Sequence, residues 1–318
     1  MKKIIALVII LLGFFFIANS FWNNQLAPVS GDQVTKKIII AKGKSVKEIA
    51  AQLKKENLIR SEFAFGLYTR YQGLSNKLTA GTFILSSSMS APEIVKILSG
   101  KPSENWVTLI EGWRIEEMAD KLNQELGIEV ERFLKVAKEG YMFPDTYLFS
   151  QDVTAEQVAK RLRDTFDERF SDDLKSKIKS RGLTEDEGVI LASIVEREAR
   201  SDKAREEVAS ILLKRFKIDM GLNADATLQY ALGYQKDEKG WWKRHLTKED
   251  KKIDSPYNTY IYRGLPPTPI ANPSSSSLTA VANADPSIPY LYYYHDSKGN
   301  SHYAKTLEEH NQNVANNP

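Results

Sequence analysis

The sequence predicts a mixed α+β fold, and three observations lead to that prediction. An uncharged apolar run near the N-terminus has the length of a transmembrane helix, and a strand–glycine–helix pattern then occurs twice at a fixed offset. A third stretch, LASIVEREAR, has the composition of an apolar helix that ends in charged residues. The chain of 318 residues is 42% hydrophobic and 27% charged, which is enough to build one large or two modest domains. We therefore expect an N-terminal transmembrane helix, a small α/β module and then a larger mixed α+β domain around a central helix.

The N-terminal segment predicts a membrane anchor. Residues 4–22 form an uncharged run of about 19 residues, just long enough to cross the ~30 Å hydrocarbon layer of a bilayer. Because Lys2 and Lys3 precede this run, the positive-inside rule places residues 1–3 in the cytoplasm and the remaining chain outside the cell membrane. The alternative is a cleaved signal peptide with its small-residue site at 18–20, and a retained single-pass anchor is the preferred interpretation. Residues 23–36 lack periodicity and are expected to form a linker.

Composition excludes several classes of site. The formal net charge of +3 is too small to indicate nucleic-acid binding. Cysteine is absent, so disulfides, thiolate metal sites and cysteine catalysis are excluded. His245, His295, His302 and His310 do not have the spacing of metal ligands, so we expect neither a metal ion nor another cofactor.

The strand–glycine–helix pattern is an internal repeat. Residues 38–53 match residues 107–122 at an offset of 69 throughout, and a weaker copy occupies 80–98. We therefore expect residues 37–103 to form a small α/β module. Its first unit resembles LysM modules, which bind N-acetylglucosamine chains. A purely structural adaptor is the alternative, because similarity of fold does not establish binding.

The segment that begins near Glu185 predicts the central helix, with Thr184 as its N-cap. At about 100° per residue, four side chains share one apolar face: Ile190, Leu191, Ile194 and Val195. This spacing directs Glu198 into the middle of that face and Glu196 to the opposite side, with Ser193 on a polar flank.

A carboxylate on an apolar face is costly unless it is paired or protonated. One interpretation is that Glu198 forms an ion pair with a buried arginine such as Arg163 or Arg215. The other is that Glu198 is a general acid whose pKa is raised by apolar surroundings, as in glycosidases. The residues of this helix alone leave both interpretations open.

The segments around the central helix predict the rest of the second domain. We expect helical stretches at 155–179, 201–218 and 306–314, and a hairpin across 290–304. Residues 139–149 combine aromatic side chains with turn formers and carboxylates, a combination that suits pyranose rings, whose faces are apolar. Within it, Phe143 and Tyr147 are expected in the core.

Several motifs together resemble those of a known family. ASIVERE, EGYMFPDTY, ADATLQY, SPYNTYxxxGLPPxPIANP and HNQNV occur here in the order and spacing of the endolytic murein transglycosylases, the YceG-like family. The similarity covers nearly the whole chain. One departure is Ala226, which stands where the family usually has proline and affects only the rigidity of that loop.

The resemblance implies an activity. Such enzymes cleave the bond between N-acetylmuramic acid and N-acetylglucosamine inside peptidoglycan strands without water, leaving 1,6-anhydro ends and limiting strand length. It implies that residues 104–318 are the catalytic domain and that Glu198 is the catalytic acid. The implied partners are glycan strands, the membrane, and the cell-wall synthases with the division and elongation machinery.

Further site residues and rival functions remain to be tested. The candidates for orienting the sugar are Glu139, Gln229, Asn258 and Tyr260, and Glu196 is expected to be an outer helper or a surface charge. One rival is a muramidase-type hydrolase in which Asp225 supplies a second carboxylate. Another is a non-catalytic scaffold that binds peptidoglycan.

Overall fold

The structure, a computed structural model, describes residues 2–317, with side-chain surroundings from residue 11 onward. Its architecture is mixed α+β, and the described chain divides into two units. The first unit comprises the residues up to Trp106 together with Leu148–Val153, and the second comprises Val107–Tyr147 and the chain from Thr154 onward. The functional roles assigned above to residues 23–36, 37–103 and 104–318 stay predictions.

The first unit contains helices on a small sheet. Its elements are α1 (Lys2–Leu26), α2 (Val46–Lys55), α3 (Glu62–Tyr71), α4 (Ala91–Leu98), β1 (Thr35–Ile40), β2 (Gly81–Ser86), most of β3 (Glu104–Thr108) and most of β4 (Thr146–Ser150). The strands lie in the order β1-β2-β3-β4, and β1 pairs with β2 in antiparallel register from Thr35 opposite Ser86 to Ile40 opposite Gly81. The alternation of a strand places Ile38 and Ile40 in the core and leaves Ile39 exposed.

Helix capping in this unit follows the sequence. Ser45 with Glu48 and Ser90 with Glu93 form capping boxes at the starts of α2 and α4, each satisfying backbone amides that have no partner inside the helix. The helices bury their apolar faces with the sheet in one core, which includes Leu53, Phe65, Phe83, Leu85, Ile94 and Leu98. Burial of these side chains stabilises the unit at about 25 cal/mol per Å² of apolar surface.

The N-terminal helix corrects one prediction. Among the residues whose side chains the structure describes, no helix is both long enough and apolar enough to cross a membrane. The predicted transmembrane anchor at 4–22, and with it the predicted single-pass location in the cell membrane, is therefore wrong for the described residues. The side chains of residues 4–10, and Met1, lie outside them.

The second unit is largely helical. Its helices are α5 (Ile115–Leu126), α6 (Val130–Val136), α7 (Ala155–Arg169), α8 (Asp172–Ser180), α9 (Glu185–Glu198), α10 (Asp202–Lys217), α11 (Asp225–Leu232), α12 (Ser275–Asn283) and α13 (Leu307–Asn316). Strands β5 (Tyr292–His295) and β6 (Ser301–Ala304) pair antiparallel, which confirms the predicted hairpin. Helix α9 packs against α8, α10, α11 and α12, so it occupies the centre of this unit.

Two details of the second unit differ from expectation. The stretch predicted as one helix at 155–179 is two, because the backbone turns at Phe170 and Ser171 caps α8 by accepting a hydrogen bond from the Leu174 amide at 3.4 Å. The aromatic segment 139–149 is mostly interior: Tyr141, Met142 and Phe143 are buried. These side chains pack in the core, so they cannot stack on a sugar.

Candidate active site

Helix α9 positions the candidate acid, and its start and end have clear causes. Thr184 and Glu187 form the predicted capping box, with the Thr184 amide donating to Glu187 Oε2 at 2.7 Å. Gly188 allows close packing, because an added Cβ would lie 2.6 Å from Ile178 Cγ2. The helix ends at Glu198, because Ala199 adopts an extended conformation with φ −134° and ψ 142°.

Burial of α9 is not confined to one face. Every residue from Gly188 to Val195 is buried, including Ser193, which donates to the Ile190 carbonyl at 2.7 Å and accepts from the Ile270 amide at 3.0 Å. The predicted polar flank is therefore wrong at Ser193. Because the helix is surrounded on all sides, an apolar stripe does not by itself distinguish Glu198 from Glu196.

The surroundings of Glu198 do distinguish it. Glu198 lines a cavity of about 430 Å³ formed by residues of the second unit. Its Oε2 accepts from the Tyr293 hydroxyl at 3.1 Å, and its Oε1 accepts from the Ala226 amide at 3.4 Å in the first turn of α11. In the described part of the chain, no lysine, arginine or histidine forms an ion pair with this carboxyl group.

Burial is the main influence on the acidity of Glu198. It raises the pKa of this carboxyl group, because the charged form loses hydration, and the nearby carboxylate of Asp225 raises the pKa further. Hydrogen bonds from Tyr293 and Ala226 and the charge of Arg197 act in the opposite direction. A carboxyl group held neutral beside a cavity can donate its proton to a bound group.

The arginines offered as ion-pair partners for Glu198 have other contacts. Arg163 pairs with Asp167 at 3.0 Å along α7. Arg215 is buried and lines the same cavity, yet its Nε donates to the Leu291 carbonyl and its Nη1 to the Leu222 carbonyl, both at 2.7 Å. Among the described residues, neither arginine forms the ion pair with Glu198 that was the alternative to a general acid.

Glu196 has the opposite surroundings. Its Oε1 accepts from Arg205 Nη2 at 2.8 Å, and its Oε2 accepts from the Ser274 amide at 2.8 Å and the Ser274 hydroxyl at 2.5 Å. The Glu196 side chain is only 3% exposed. The expectation of a surface charge at Glu196 is wrong, because Arg205 on α10 and the start of α12 cover it.

Of the residues predicted to orient a sugar, only Tyr260 lines the cavity with Glu198. The other three have partners elsewhere inside the protein. Glu139 is buried and accepts from Asn272 Nδ2 at 2.9 Å, and Gln229 donates to the Lys243 carbonyl at 2.7 Å.

Asn258 is fully buried. Its Nδ2 donates to two carbonyls, at 2.8 Å and 3.1 Å, and its Oδ1 accepts from the Tyr260 amide at 3.1 Å. These bonds fix the loop that carries Tyr260. The roles in substrate binding assigned to Glu139, Gln229 and Asn258 stay predictions.

Sequence reasoning missed part of the cavity. Asp225, which sequence reasoning did name as the second carboxylate of the rival hydrolase, accepts from the Tyr260 hydroxyl at 2.5 Å and lines the cavity with Glu198. The hairpin strand β5 supplies Tyr292, Tyr293 and Tyr294 to the cavity wall. The available signal was the density of tyrosines in a strand, but only the fold brings that strand to the end of α9.

Comparisons with known proteins agree on one family. The model of the YceG-like family matches residues 38–316. The chain is 32% identical to the endolytic murein transglycosylase of Bacillus subtilis strain 168, over 92% of this chain and 88% of that protein. It is 29% identical to the endolytic murein transglycosylase of Streptococcus pneumoniae strain D39, over 92% of this chain but only 60% of that longer protein.

A solved structure extends the similarity to three dimensions. The crystal structure of a YceG-like protein from Listeria monocytogenes superposes with a TM-score of 0.65 at 28% sequence identity. The similarity covers 88% of this chain and 99% of that one. The family model, the relatives and the shared fold lead to one conclusion: the chain belongs to the YceG-like family.

Proposed function

We propose that this protein is an endolytic murein transglycosylase, a lyase that cuts peptidoglycan strands internally. The observation that supports the proposal most directly is Glu198, a buried carboxyl group that lines a cavity and forms no ion pair with any described residue. Relatives that match most of this chain are named for the same activity. All residues that line the cavity lie in the second unit, which supports the catalytic role proposed for 104–318.

The proposed reaction uses one carboxyl group twice. Protonated Glu198 donates its proton to the glycosidic oxygen between N-acetylmuramic acid and N-acetylglucosamine, and the bond from C1 to that oxygen breaks. The C6 hydroxyl oxygen of the same N-acetylmuramic acid then bonds to C1 and gives its proton to the Glu198 carboxylate. The products are a 1,6-anhydro end and a free hydroxyl on N-acetylglucosamine, and the acid is regenerated without water.

The contacts of Glu198 suit both halves of this cycle. Burial favours the neutral acid before cleavage, whereas the Tyr293 hydroxyl and the Ala226 amide donate to the carboxylate that forms afterwards. Tyrosine rings on the cavity wall offer apolar faces on which pyranose rings can stack. Tyr260 belongs to this wall and is our candidate for contacting the sugar.

The proposed biological role is to limit the length of new glycan strands. Internal cleavage of a growing strand separates its synthesised part from the growing end. We therefore propose that the enzyme acts beside cell-wall synthases and the division and elongation machinery. The proposed substrate is the peptidoglycan strand, whether the enzyme acts during division or during elongation.

Asp225 supports one rival reaction. It lines the cavity with Glu198 and could activate a water molecule, which would make the protein a muramidase-type hydrolase. The products distinguish the two reactions, because a transglycosylase leaves anhydro ends that are lighter by one water than the reducing ends of a hydrolase.

The test is mass spectrometry of the products formed from purified glycan strands. We expect anhydro ends with the wild type and a loss of about 10³-fold or more in rate with Glu198→Gln, because the amide has no acidic proton to donate. Glu206→Gln, the same change at an exposed position on α10, is the matched control and should cut normally.

Three results would overturn the proposal. Reducing ends would assign the hydrolase reaction. Wild-type turnover by Glu198→Gln would remove Glu198 from the mechanism, and no cleavage by the wild type would favour the non-catalytic scaffold.

A further inference from the structure

A second cavity adjoins the end of α9. It has a volume of about 550 Å³ and is lined only by residues of the second unit, among them Glu111, Glu196, Ala199 and Arg200. Glu198, which lines the first cavity, lies in the chain between Glu196 and Ala199. The two cavities therefore lie on two sides of the same short segment.

The second cavity differs chemically from the first. Three consecutive tyrosines, 292–294, line the first cavity, whereas no aromatic side chain is among the described residues that line the second. Sugar rings usually stack on aromatic faces, so the second cavity is poorly suited to another sugar. Its walls instead carry several charged groups.

Two of these charges have no partner. Arg200 is exposed and forms no hydrogen bond or ion pair with any described residue, and the same holds for the exposed Glu111. The other charges are committed: Arg205 binds Glu196 at 2.8 Å, and Asp145 lies 3.9 Å from Arg169. The cavity therefore offers one guanidinium and one carboxyl group to a ligand.

The charge of Arg200 also acts on a residue of the first cavity, His295. The pKa of His295, which lines that cavity, is lowered first by burial and then by the charge of Arg200. Arg200 is thus close enough to influence both cavities. A ligand that extends from the first cavity into the second would pass this guanidinium.

We infer that the second cavity binds the short peptide carried by the lactyl arm of N-acetylmuramic acid. Arg200 binds a carboxylate of that peptide, and Glu111 binds an ammonium group. The inference rests on the proposed function, because the peptide enters as part of the glycan strand. A peptide with both charges matches the two uncommitted groups, whereas a neutral sugar matches neither.

Glu198 lines the first cavity, and its chain neighbours Glu196 and Ala199 line the second. The peptide branches from the same N-acetylmuramic acid whose C1–O bond is broken. A sugar held with its glycosidic oxygen at Glu198 therefore directs its branch into space next to the acid. We assign that space to the second cavity, because Glu196 and Ala199 on either side of Glu198 line it, and its binding energy would help to choose which bond is cut.

The test compares two substrates for each variant. The wild type, Arg200→Gln and the control Arg132→Gln are assayed on uncross-linked strands with their peptides and on strands whose peptides an amidase has removed. Arg132 is exposed on α6 and has only a 3.6 Å contact with Glu156. The readout is the ratio of kcat/KM between the two substrates.

For Arg200→Gln we expect this ratio to fall about tenfold, mainly through KM, because a charge-assisted hydrogen bond to the peptide is lost. Arg200→Lys, which keeps the charge, should restore most of the ratio, and Glu111→Gln should lower it less. Arg132→Gln should leave it unchanged.

An unchanged ratio in Arg200→Gln, with both substrates cut normally, would overturn this inference and leave the proposed function intact. An equal loss on both substrates would also overturn it, since Arg200 would then act on the sugar. A wild type that cuts neither substrate would instead overturn the proposed function, and this inference with it.

Discussion

Glu196 and Glu198 lie two residues apart at the end of one helix, and their surroundings are opposite. The Glu196 side chain is only 3% exposed, its charge is paired with Arg205, and it accepts hydrogen bonds from Ser274. Glu198 faces a cavity, and its two hydrogen-bond partners, Tyr293 and the Ala226 amide, carry no charge. The same residue type thus holds the structure together in one position and is available for chemistry in the other.

The comparison teaches which observation identifies a functional carboxyl group. Depth of burial does not, because the Glu196 side chain is only 3% exposed, and yet its charge is fully paired. Both carboxyl groups line a cavity, and what separates Glu198 is burial beside the tyrosine-lined cavity without an ion pair to any described residue. Such a group is costly for the fold, and a costly group beside a cavity is a candidate for function.

The largest expected effect on stability comes from breaking the Glu196 ion pair. Glu196→Gln removes the 2.8 Å ion pair and leaves Arg205 with only its 3.4 Å ion pair to Asp202. With the amide oxygen toward Arg205, the amide N–H points at the Ser274 amide, which is also a donor. We expect the free energy of unfolding to fall by about 3 kcal/mol, the lower end for a broken buried pair. Chemical denaturation at pH 7 measures it.

Glu198→Gln is the matched control for that experiment. It makes the same substitution two residues later but removes an unpaired carboxyl group, so the free energy of unfolding should stay constant or rise. Equal destabilisation by the two variants would contradict the difference drawn here between the two positions.

Glu139 sharpens the comparison as a third buried carboxyl group. It is outside the cavity with Glu198, and burial raises its pKa to about 8. Because this exceeds the unfolded value of 4.5, the unfolded chain binds fewer protons between pH 5 and 8. Stability is therefore lost as pH rises through that window, by at most about 1.4 kcal/mol per pH unit from this group.

Glu139→Gln should remove this contribution. We expect the variant to be less stable than the wild type at pH 5 by about 1 kcal/mol, because the single amide oxygen cannot accept from both the Ile115 amide and Asn272 Nδ2, as the two oxygens of Glu139 do at 3.3 Å and 2.9 Å. Its stability should then change less between pH 5 and 8. Denaturation curves across that range check the slope, and a slope identical to that of the wild type would show that Glu139 does not titrate there.

Local features of this fold were predictable from the sequence, and long-range ones were not. The capping box at Thr184 and the hairpin at β5 and β6 depend on residues close together in the chain, and both were confirmed. The burial of Ser193 depends on Ile270, which is 77 positions away. A helical wheel considers only one helix and therefore gave it a polar flank.

The contacts of the candidate site were also not predictable from local sequence patterns. Glu198 was chosen by an argument about one apolar face that the structure does not support, although the cavity supports the residue itself. Tyr293 lies 95 positions from Glu198, and Arg205 reaches Glu196 from the next helix. No pattern within α9 indicates which carboxyl group receives an arginine and which receives a tyrosine.

The smallest expected effect tests the tyrosine contact directly. The Tyr293 hydroxyl donates to Glu198 and lowers its pKa, so Tyr293→Phe should raise that pKa. The reaction needs protonated Glu198, and activity is lost as pH rises through this pKa. The basic limb of the pH–rate profile should therefore move to higher pH by a fraction of a unit, equivalent to about 1 kcal/mol or less.

Tyr294→Phe is the matched control, because Tyr294 lines the same cavity but its hydroxyl forms no hydrogen bond with described residues. That change should alter KM without moving the limb. A limb that moves to lower pH in Tyr293→Phe, or that moves equally in both variants, would mean that the tyrosine does not set the acidity of Glu198.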